Sequence, residues 1–252
     1  MNIQDYLKRI GFEGKPRVDV ETLRVLHKRH LMTVPYENLD IMRNVPLSLE
    51  LNDIYEKIVV RGRGGYCFEL NALFTRLLRE IGFDVEVYFG RFLRDEPPEA
   101  VPMRRHRVMG VRCDGGLYLC DVGVGGRIPR EPIPVVADAL NEQYGETYKL
   151  VKDDFFGYVL TELHKGEWRR IYAFTMEPQT DIDFVAVSYY CEVHPESFFR
   201  TMDMVHLFTE DGRKSVAGRE FRVFSGEGVA VEVPGDEDGY ERLLARAFGI
   251  VL

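Results

Sequence analysis

Cysteine catalysis needs a thiolate, a base to generate it, and a group that fixes the base's tautomer. Cys67, His106 and Asp121 supply those three side-chain types in one chain, 39 and 15 residues apart. Cys67 follows the run Arg61-Gly62-Arg63-Gly64-Gly65-Tyr66, whose glycines permit a tight backbone approach, including positive φ. It opens a segment in which Phe68, Leu73, Phe74, Leu77, Leu78 and Ile81 recur at the spacing of one buried helix face. Gly82 is the expected stop. Cys67 then sits in the first turn, where free N–H groups and the positive dipole end favour a thiolate. A buried structural cysteine is the alternative for any free thiol. The stretch alone leaves both readings open, and the partners decide.

The two partners fall on adjacent strand-like runs, His106 to Cys113 and Leu117 to Val122, joined by Asp114-Gly115-Gly116. Asp-Gly is a strong two-residue hairpin signal. With Asp114-Gly115 as the loop, Cys113 faces Gly116 and Val108 faces Asp121. His106 then shares a face with Asp121, one diagonal step of roughly 7–8 Å away. A three-residue loop would put the two on opposite faces. Asp121 also interrupts an apolar run, and a carboxylate there needs a partner if it is buried. His106 is the natural one.

The elements that must position these residues change character along the chain. Residues 2 to 10, 19 to 31 and 51 to 60 read as helices preceding the Cys67 helix, with Asp19 as an N-cap and Val34-Pro35 as a break. His27 and His30 fall on the second of these, where a surface or satisfied core role is expected. From Asp84 the period becomes 2, and strand candidates continue through 146–151, 157–163 and 167–174, with Lys165-Gly166 as a turn. Beyond Met176 an irregular stretch leads to short strands at 205–210, 215–217, 220–224 and 228–233, and 240–248 closes as an amphipathic helix. Helices, then strands, then a mixed tail predict an α+β protein with weakly separated parts.

Composition sets outer limits. The chain has 252 residues, 45% hydrophobic and 29% charged, which suits a water-soluble protein with a sizeable core. A formal net charge of −8 argues against nucleic acid or an anionic membrane as the main partner. No apolar run approaches the length of a membrane span, and the N-terminus lacks the pattern of a signal peptide. The four cysteines form no C-x-x-C pair, so reduced thiols, a cytoplasmic location and no metal site are expected.

Taken together, these motifs resemble the arylamine N-acetyltransferase family, of bacterial type. Arg63-Gly64-Gly65-Tyr66-Cys67-Phe68-Glu69-Leu70-Asn71 is similar to the family's nucleophile motif, and Val34-Pro35-Tyr36-Glu37-Asn38-Leu39 to its upstream element. His106-Arg107-Val108 and Asp121-Val122-Gly123-Val124-Gly125-Gly126 fit the motifs that carry its histidine and aspartate. Weaker echoes follow at His194-Pro195-Glu196-Ser197 and Asp211-Gly212-Arg213, so the likeness spans nearly the whole chain.

The resemblance implies a helical bundle over 1–83 carrying the nucleophile, an antiparallel β-barrel over 84–187 carrying the histidine and aspartate, and an α/β lid over 188–252. Its catalytic core would be cysteine-proteinase-like. It implies Cys67, His106 and Asp121 as the catalytic triad and acetyl-CoA as acyl donor, without a metal. The acceptor would be a small-molecule arylamine, arylhydrazine or N-hydroxyarylamine, reached by a ping-pong route through acetyl-cysteine. Tyr36, Phe68 and Val124 would line the acceptor pocket, and Arg105 and Gly123 would contact CoA. Glu37 and Arg63 would form a structural ion pair holding the nucleophile loop. Two departures bear on the acceptor: Val124 stands where the family often has an aromatic residue, and Tyr36 where it usually has phenylalanine. A same-triad amide synthase, an acyltransferase with another donor or acceptor, and a papain- or transglutaminase-like hydrolase are the rival readings. The oligomeric state is left open, a homodimer included.

Overall fold

The computed structural model describes residues 1–252. Its first part is helical: α1 (Ile3–Arg9), α2 (Val20–Thr33), a two-residue strand β1 (Tyr36–Glu37), α3 (Leu39–Met42), α4 (Leu51–Tyr55) and α5 (Cys67–Ile81). The Asp19 carboxylate accepts from the Thr22 N–H at 2.8 Å and caps α2 as expected. A π-type turn, Glu56–Val60, continues α4 and delivers the chain to the glycine run. Gly82 ends α5 in the left-handed region at φ 112°. The first two turns of α5 are buried almost all round, Glu69 and Asn71 included, so this helix is central rather than merely amphipathic.

An antiparallel sheet of eight strands follows. It comprises β2 (Asp84–Phe92), β3 (Arg104–Cys113), β4 (Gly116–Cys120), β5 (Ile133–Pro134), β6 (Asn141–Gln143), β7 (Glu146–Asp153), β8 (Gly157–His164) and β9 (Glu167–Phe174). The spatial order is β5-β4-β3-β2-β9-β8-β7-β6. A bridge from Ala137, just past β5, to Leu150 on β7 brings the two ends together and nearly closes the barrel. Its interior joins α1, α2 and α5 in one apolar core that runs from Tyr6 to Phe208.

The β3–β4 hairpin has the register read from the Asp-Gly turn. Cys113 pairs with Gly116 and Met109 with Cys120. Asp114 and Gly115 take φ of 48° and 73°, the two positive angles of a type I′ turn. The ladder stops at Cys120 rather than running on to Val122, because the next two N–H groups turn to other partners: Asp121 donates to His27 and Val122 to Asn71. Cys113 and Cys120 are not opposite one another, and all four cysteines are free and buried.

The last part contains α6 (Val185–Val193), β10 (Met204–Thr209), β11 (Gly212–Ala217), β12 (Glu220–Ser225), β13 (Gly228–Glu232) and α7 (Glu237–Phe248). Its sheet has the order β1-β10-β11-β12-β13, so Tyr36 and Glu37 of the helical part complete it by pairing with His206 and Val205. The part boundaries drawn from sequence need adjustment accordingly. Residue 83 falls in the turn between α5 and β2, whereas 187 lies inside α6, a helix the sequence reading treated as irregular. No helix is long and apolar enough to cross a membrane.

Forcing a side chain into the turn tests how far the hairpin depends on its left-handed residues. Gly115→Val places a β-branched residue at positive φ and is expected to destabilise the fold by about 1–2 kcal/mol, measured by denaturant unfolding.

Candidate active site

Cys67 is the first residue of α5, with its thiol directed at the Arg105 carbonyl at 3.9 Å. The glycines before it serve close approach more than unusual dihedrals. A Cβ on Gly64 would overlap the Pro35 carbonyl, and one on Gly65 would lie 2.8 Å from Glu69 Oε2. Positive φ occurs two residues earlier, at Gly62 (71°). Glu69 Oε2 accepts from the Tyr66 N–H at 3.1 Å and closes the start of the helix.

His106 projects from β3 opposite Gly90, where a Cβ would come within 3.2 Å of the imidazole Cδ2. The rings of Tyr172 and Phe92 flank it at centroid distances of 5.1 and 5.8 Å. Its Nε2 lies 2.7 Å from Asp121 Oδ2. With Nε2–H donating to the carboxylate, Nδ1 is left as the free acceptor. Cys67 and His106 line the same cavity, of about 550 Å³.

Asp121 is almost fully buried and fully engaged. Besides His106, its Oδ1 accepts from Asn71 Nδ2 at 2.8 Å and from the Gly123 N–H at 2.9 Å. Burial pushes this carboxyl up, but His106, then Asn71 and Gly123, outweigh it and hold the group below the usual carboxylate range. The Asp121 backbone N–H donates to His27 Nε2 at 3.1 Å, while His27 Nδ1 contacts the Arg130 carbonyl at 2.9 Å. A carbonyl only accepts and an N–H only donates, so His27 is the Nδ1–H tautomer. Burial lowers its pKa and keeps it neutral. Of the two roles expected of His27, surface or satisfied core, these contacts give the second, and the sequence did not show that one partner is the Asp121 backbone. Asn71 was missed as well, although its place one turn after Cys67 puts it on the thiol's face.

The thiol itself is not preset as an anion. Burial, then Cys191 and Asp121, raise Cys67 well above an ordinary thiol, against a smaller opposing pull from the backbone at Arg107 and Phe68. A helix N-terminus therefore does not suffice here. A bare thiolate near Asp121 would place two negative charges together.

Of the residues expected around the pocket, Tyr36, Val124, Arg105 and Gly123 line the cavity. Arg105 pairs with Glu96 at 3.8 Å. Gly123 packs so closely that a Cβ would stand 2.6 Å from the Cys67 Cα. Phe68 is not at the wall. It is fully buried beneath the nucleophile, edge-on to Tyr66 at 5.3 Å, because it points from α5 away from the thiol. Cavity residues that sequence did not single out include Arg94, His206 and Phe224, and Arg213 of the Asp211-Gly212-Arg213 motif also lines it.

Glu37 and Arg63 meet in a buried ion pair, Oε1 to Nη2 at 2.8 Å. It is one link in a longer chain: Arg63 also reaches Asp40 (2.8 Å), Asp40 pairs with Lys57 (2.7 Å), and Lys57 with Glu69 (2.8 Å). Opposite charges alternate throughout, so each of the five groups touches an opposite charge, three carboxylates sharing two cations.

A thiol at a helix start, with its base on one strand and the carboxylate just past the next, defines a cysteine-proteinase-like core. A family model described as N-acetyltransferase matches residues 19–252. The arylamine N-acetyltransferase of Mycolicibacterium smegmatis is 38% identical over 88% of this chain and 82% of its own length. That of Escherichia coli is 36% identical over 84% and 75%. Among solved structures, the M. tuberculosis arylamine N-acetyltransferase superposes with a TM-score of 0.93 at 33% identity, covering 99% of this chain and 94% of that one. The Mycobacterium marinum arylamine N-acetyltransferase in complex with CoA gives 0.92 at 31%, covering 99% and 93%. This chain belongs to the arylamine N-acetyltransferase family.

Removing one charge from the ion chain tests its hold on the nucleophile. Glu37→Gln should cost on the order of 2–3 kcal/mol in unfolding free energy and slow acylation of Cys67. Unchanged stability and acylation would mean that the pair supports neither.

Proposed function

We propose that this chain transfers an acetyl group from acetyl-CoA to an arylamine or arylhydrazine through an acetyl-Cys67 intermediate. One observation carries the reading: His106 is fixed by Asp121 at 2.7 Å and lines the same cavity as Cys67, the first residue of α5. The relatives supply the substrate class, since their names are those of arylamine N-acetyltransferases and one solved neighbour holds CoA.

In the first half-reaction His106 Nδ1 takes the Cys67 proton as the sulfur attacks the thioester carbonyl. The imidazolium is stabilised by Asp121, whose own partners keep it ionised. Backbone N–H groups at the start of α5 stabilise the oxyanion. The intermediate collapses, the carbon–sulfur bond to CoA breaks, and His106 returns the proton to the departing thiolate. In the second half-reaction the acceptor amine attacks acetyl-Cys67. His106 removes a proton from the amine nitrogen and delivers it to the Cys67 sulfur as the product leaves. Every proton passes through one ring nitrogen, and no metal is called for.

Incubation with acetyl-CoA and no acceptor tests the first half alone. Intact-protein mass spectrometry should show one added acetyl group, located on Cys67, and none in Cys67→Ala or His106→Ala. Asp121→Asn should form the adduct with a rate lowered by at least 100-fold, because the imidazole tautomer is no longer enforced. Hydrolysis of a peptide substrate without any adduct would overturn the transferase reading.

A further inference from the structure

The stretch of β3 that carries His106 is held by few ladder bonds. On one side Gly90 pairs with His106 and Arg91 with Arg104, so Arg105 is skipped and the pairing with β2 is interrupted just before His106. On the other side the ladder to β4 begins only at Met109. Residues 106–108 therefore need support from outside the sheet. His106 faces the cavity, and Arg107, by strand alternation, points the other way.

Arg107 finds that support in the last part of the chain. Its Nη2 donates to Asp181 Oδ1 at 2.7 Å, and its guanidinium lies 4.7 Å from the ring centre of Phe184. Both belong to the turn Asp181–Phe184 that leads into α6. The Arg107 side chain is 3% exposed and that of Asp181 59%, so a buried cation takes its one carboxylate within 4 Å from the surface. Its buried Nε has no hydrogen-bond partner, which leaves Asp181 and the Phe184 ring to compensate the charge. Phe184 is fully buried and packs on Phe89 and Phe68 at centroid distances of 4.4 and 5.7 Å.

The main chain of the same stretch meets the site. The Arg107 carbonyl accepts from Asn71 Nδ2 at 2.5 Å, the amide that also donates to Asp121 Oδ1. The Arg105 carbonyl lies 3.9 Å from Cys67 Sγ, and the backbone at Arg107 draws the thiol pKa down against burial. A shift of Arg107 would thus move His106, Asn71 and the backbone around the thiol together. Misplacing reacting groups by about 1 Å costs on the order of 100-fold in rate.

We propose that Arg107 is a positioning residue, anchored by Asp181 and Phe184, that sets the approach of His106 to Cys67. The inference rests on Cys67 and His106 acting as proposed above, and adds that the last part of the chain fixes their geometry from behind. Arg107 does not line the cavity, so its effect falls on the rate of acylation and not on the binding of the donor.

The test compares Arg107→Met, Arg107→Lys and Asp181→Asn with the unmodified full-length protein, after circular dichroism and thermal unfolding have established that each folds. Arg107→Met keeps the buried stem and leaves behind only an exposed carboxylate. It is expected to lower the maximal rate of acetyl-Cys67 formation by at least about tenfold, with KM for acetyl-CoA within about twofold. The pH at which iodoacetamide modifies Cys67 should rise in the same variant, because the thiol meets its base less well. Arg107→Lys should restore part of both, and Asp181→Asn should fall between. An unchanged rate and alkylation profile in Arg107→Met would overturn the assignment, as would a loss of rate that only tracks the folded fraction. Should Arg107→Met fail to fold, Asp181→Asn decides, since it alters an exposed side chain: acylation and alkylation like those of the unmodified protein would overturn the assignment. Alkylation needs no acyl donor, so a profile moved by Arg107→Met in a protein that never forms acetyl-Cys67 would support the positioning role and count against the transferase. Acetyl-Cys67 formed alike in every variant would do the reverse.

Discussion

A carboxylate buried among apolar side chains is the constraint on which the rest of the site depends. An unpaired Asp121 would cost several kcal/mol or simply take up a proton. The fold avoids this by bringing four elements to one residue. His106 arrives from β3, Asn71 from α5, the Gly123 N–H from the following loop, and His27 from α2 holds the backbone behind it. Those contacts join the helical part to the barrel at the point where the chemistry takes place. They also leave Nδ1 as the imidazole nitrogen not engaged by Asp121. The structure and the proposed mechanism thus rest on the same carboxylate.

The alternating ion chain from Glu37 to Glu69 applies similar logic on the other side of the nucleophile. Glu69 links the two: it takes Lys57 on one oxygen and the Tyr66 N–H on the other. Burial raises its pKa, and Lys57 draws it back. The glycines complete this packing by being small. Gly64, Gly65 and Gly123 each sit where a single methyl would collide with Pro35, Glu69 or Cys67. The nucleophile is therefore held from both sides by backbone in close contact, which suits a thiol that must meet a fixed base. Burial pushes that thiol up, so on the proposed route its reactivity resides in the pair with His106.

Much of this was legible in the sequence because local rules and tertiary structure agreed. The apolar period after Cys67 and the stop at Gly82 gave α5. Asp114-Gly115 gave the hairpin register, and that register put His106 and Asp121 on one face. Other features were illegible for identifiable reasons. Helix α6 is built from Val, Ser, Tyr and Cys, residues that also suit strands. Strand β1 is two residues long and exists only through its pairing with β10. Glu69 and Asn71 read as the wet face of a helix, yet tertiary packing buries them. Phe68 was placed in the pocket by its motif, and the helical rotation places it beneath. The His106–Asp121 contact was readable from type and spacing; the residues that support it depend on contacts between segments far apart in the chain.

On the proposed mechanism Cys67 becomes nucleophilic by giving its proton to a His106 oriented by Asp121. The most direct measurement is the pH dependence of Cys67 alkylation by iodoacetamide in the unmodified protein, His106→Gln and Asp121→Asn. Modification at Cys67 should stay fast down to about pH 6, near the range of an imidazole, with a rate at least tenfold lower in both variants. A rate that rises only near pH 8.5, as for a free thiol, and is the same in all three proteins would contradict it.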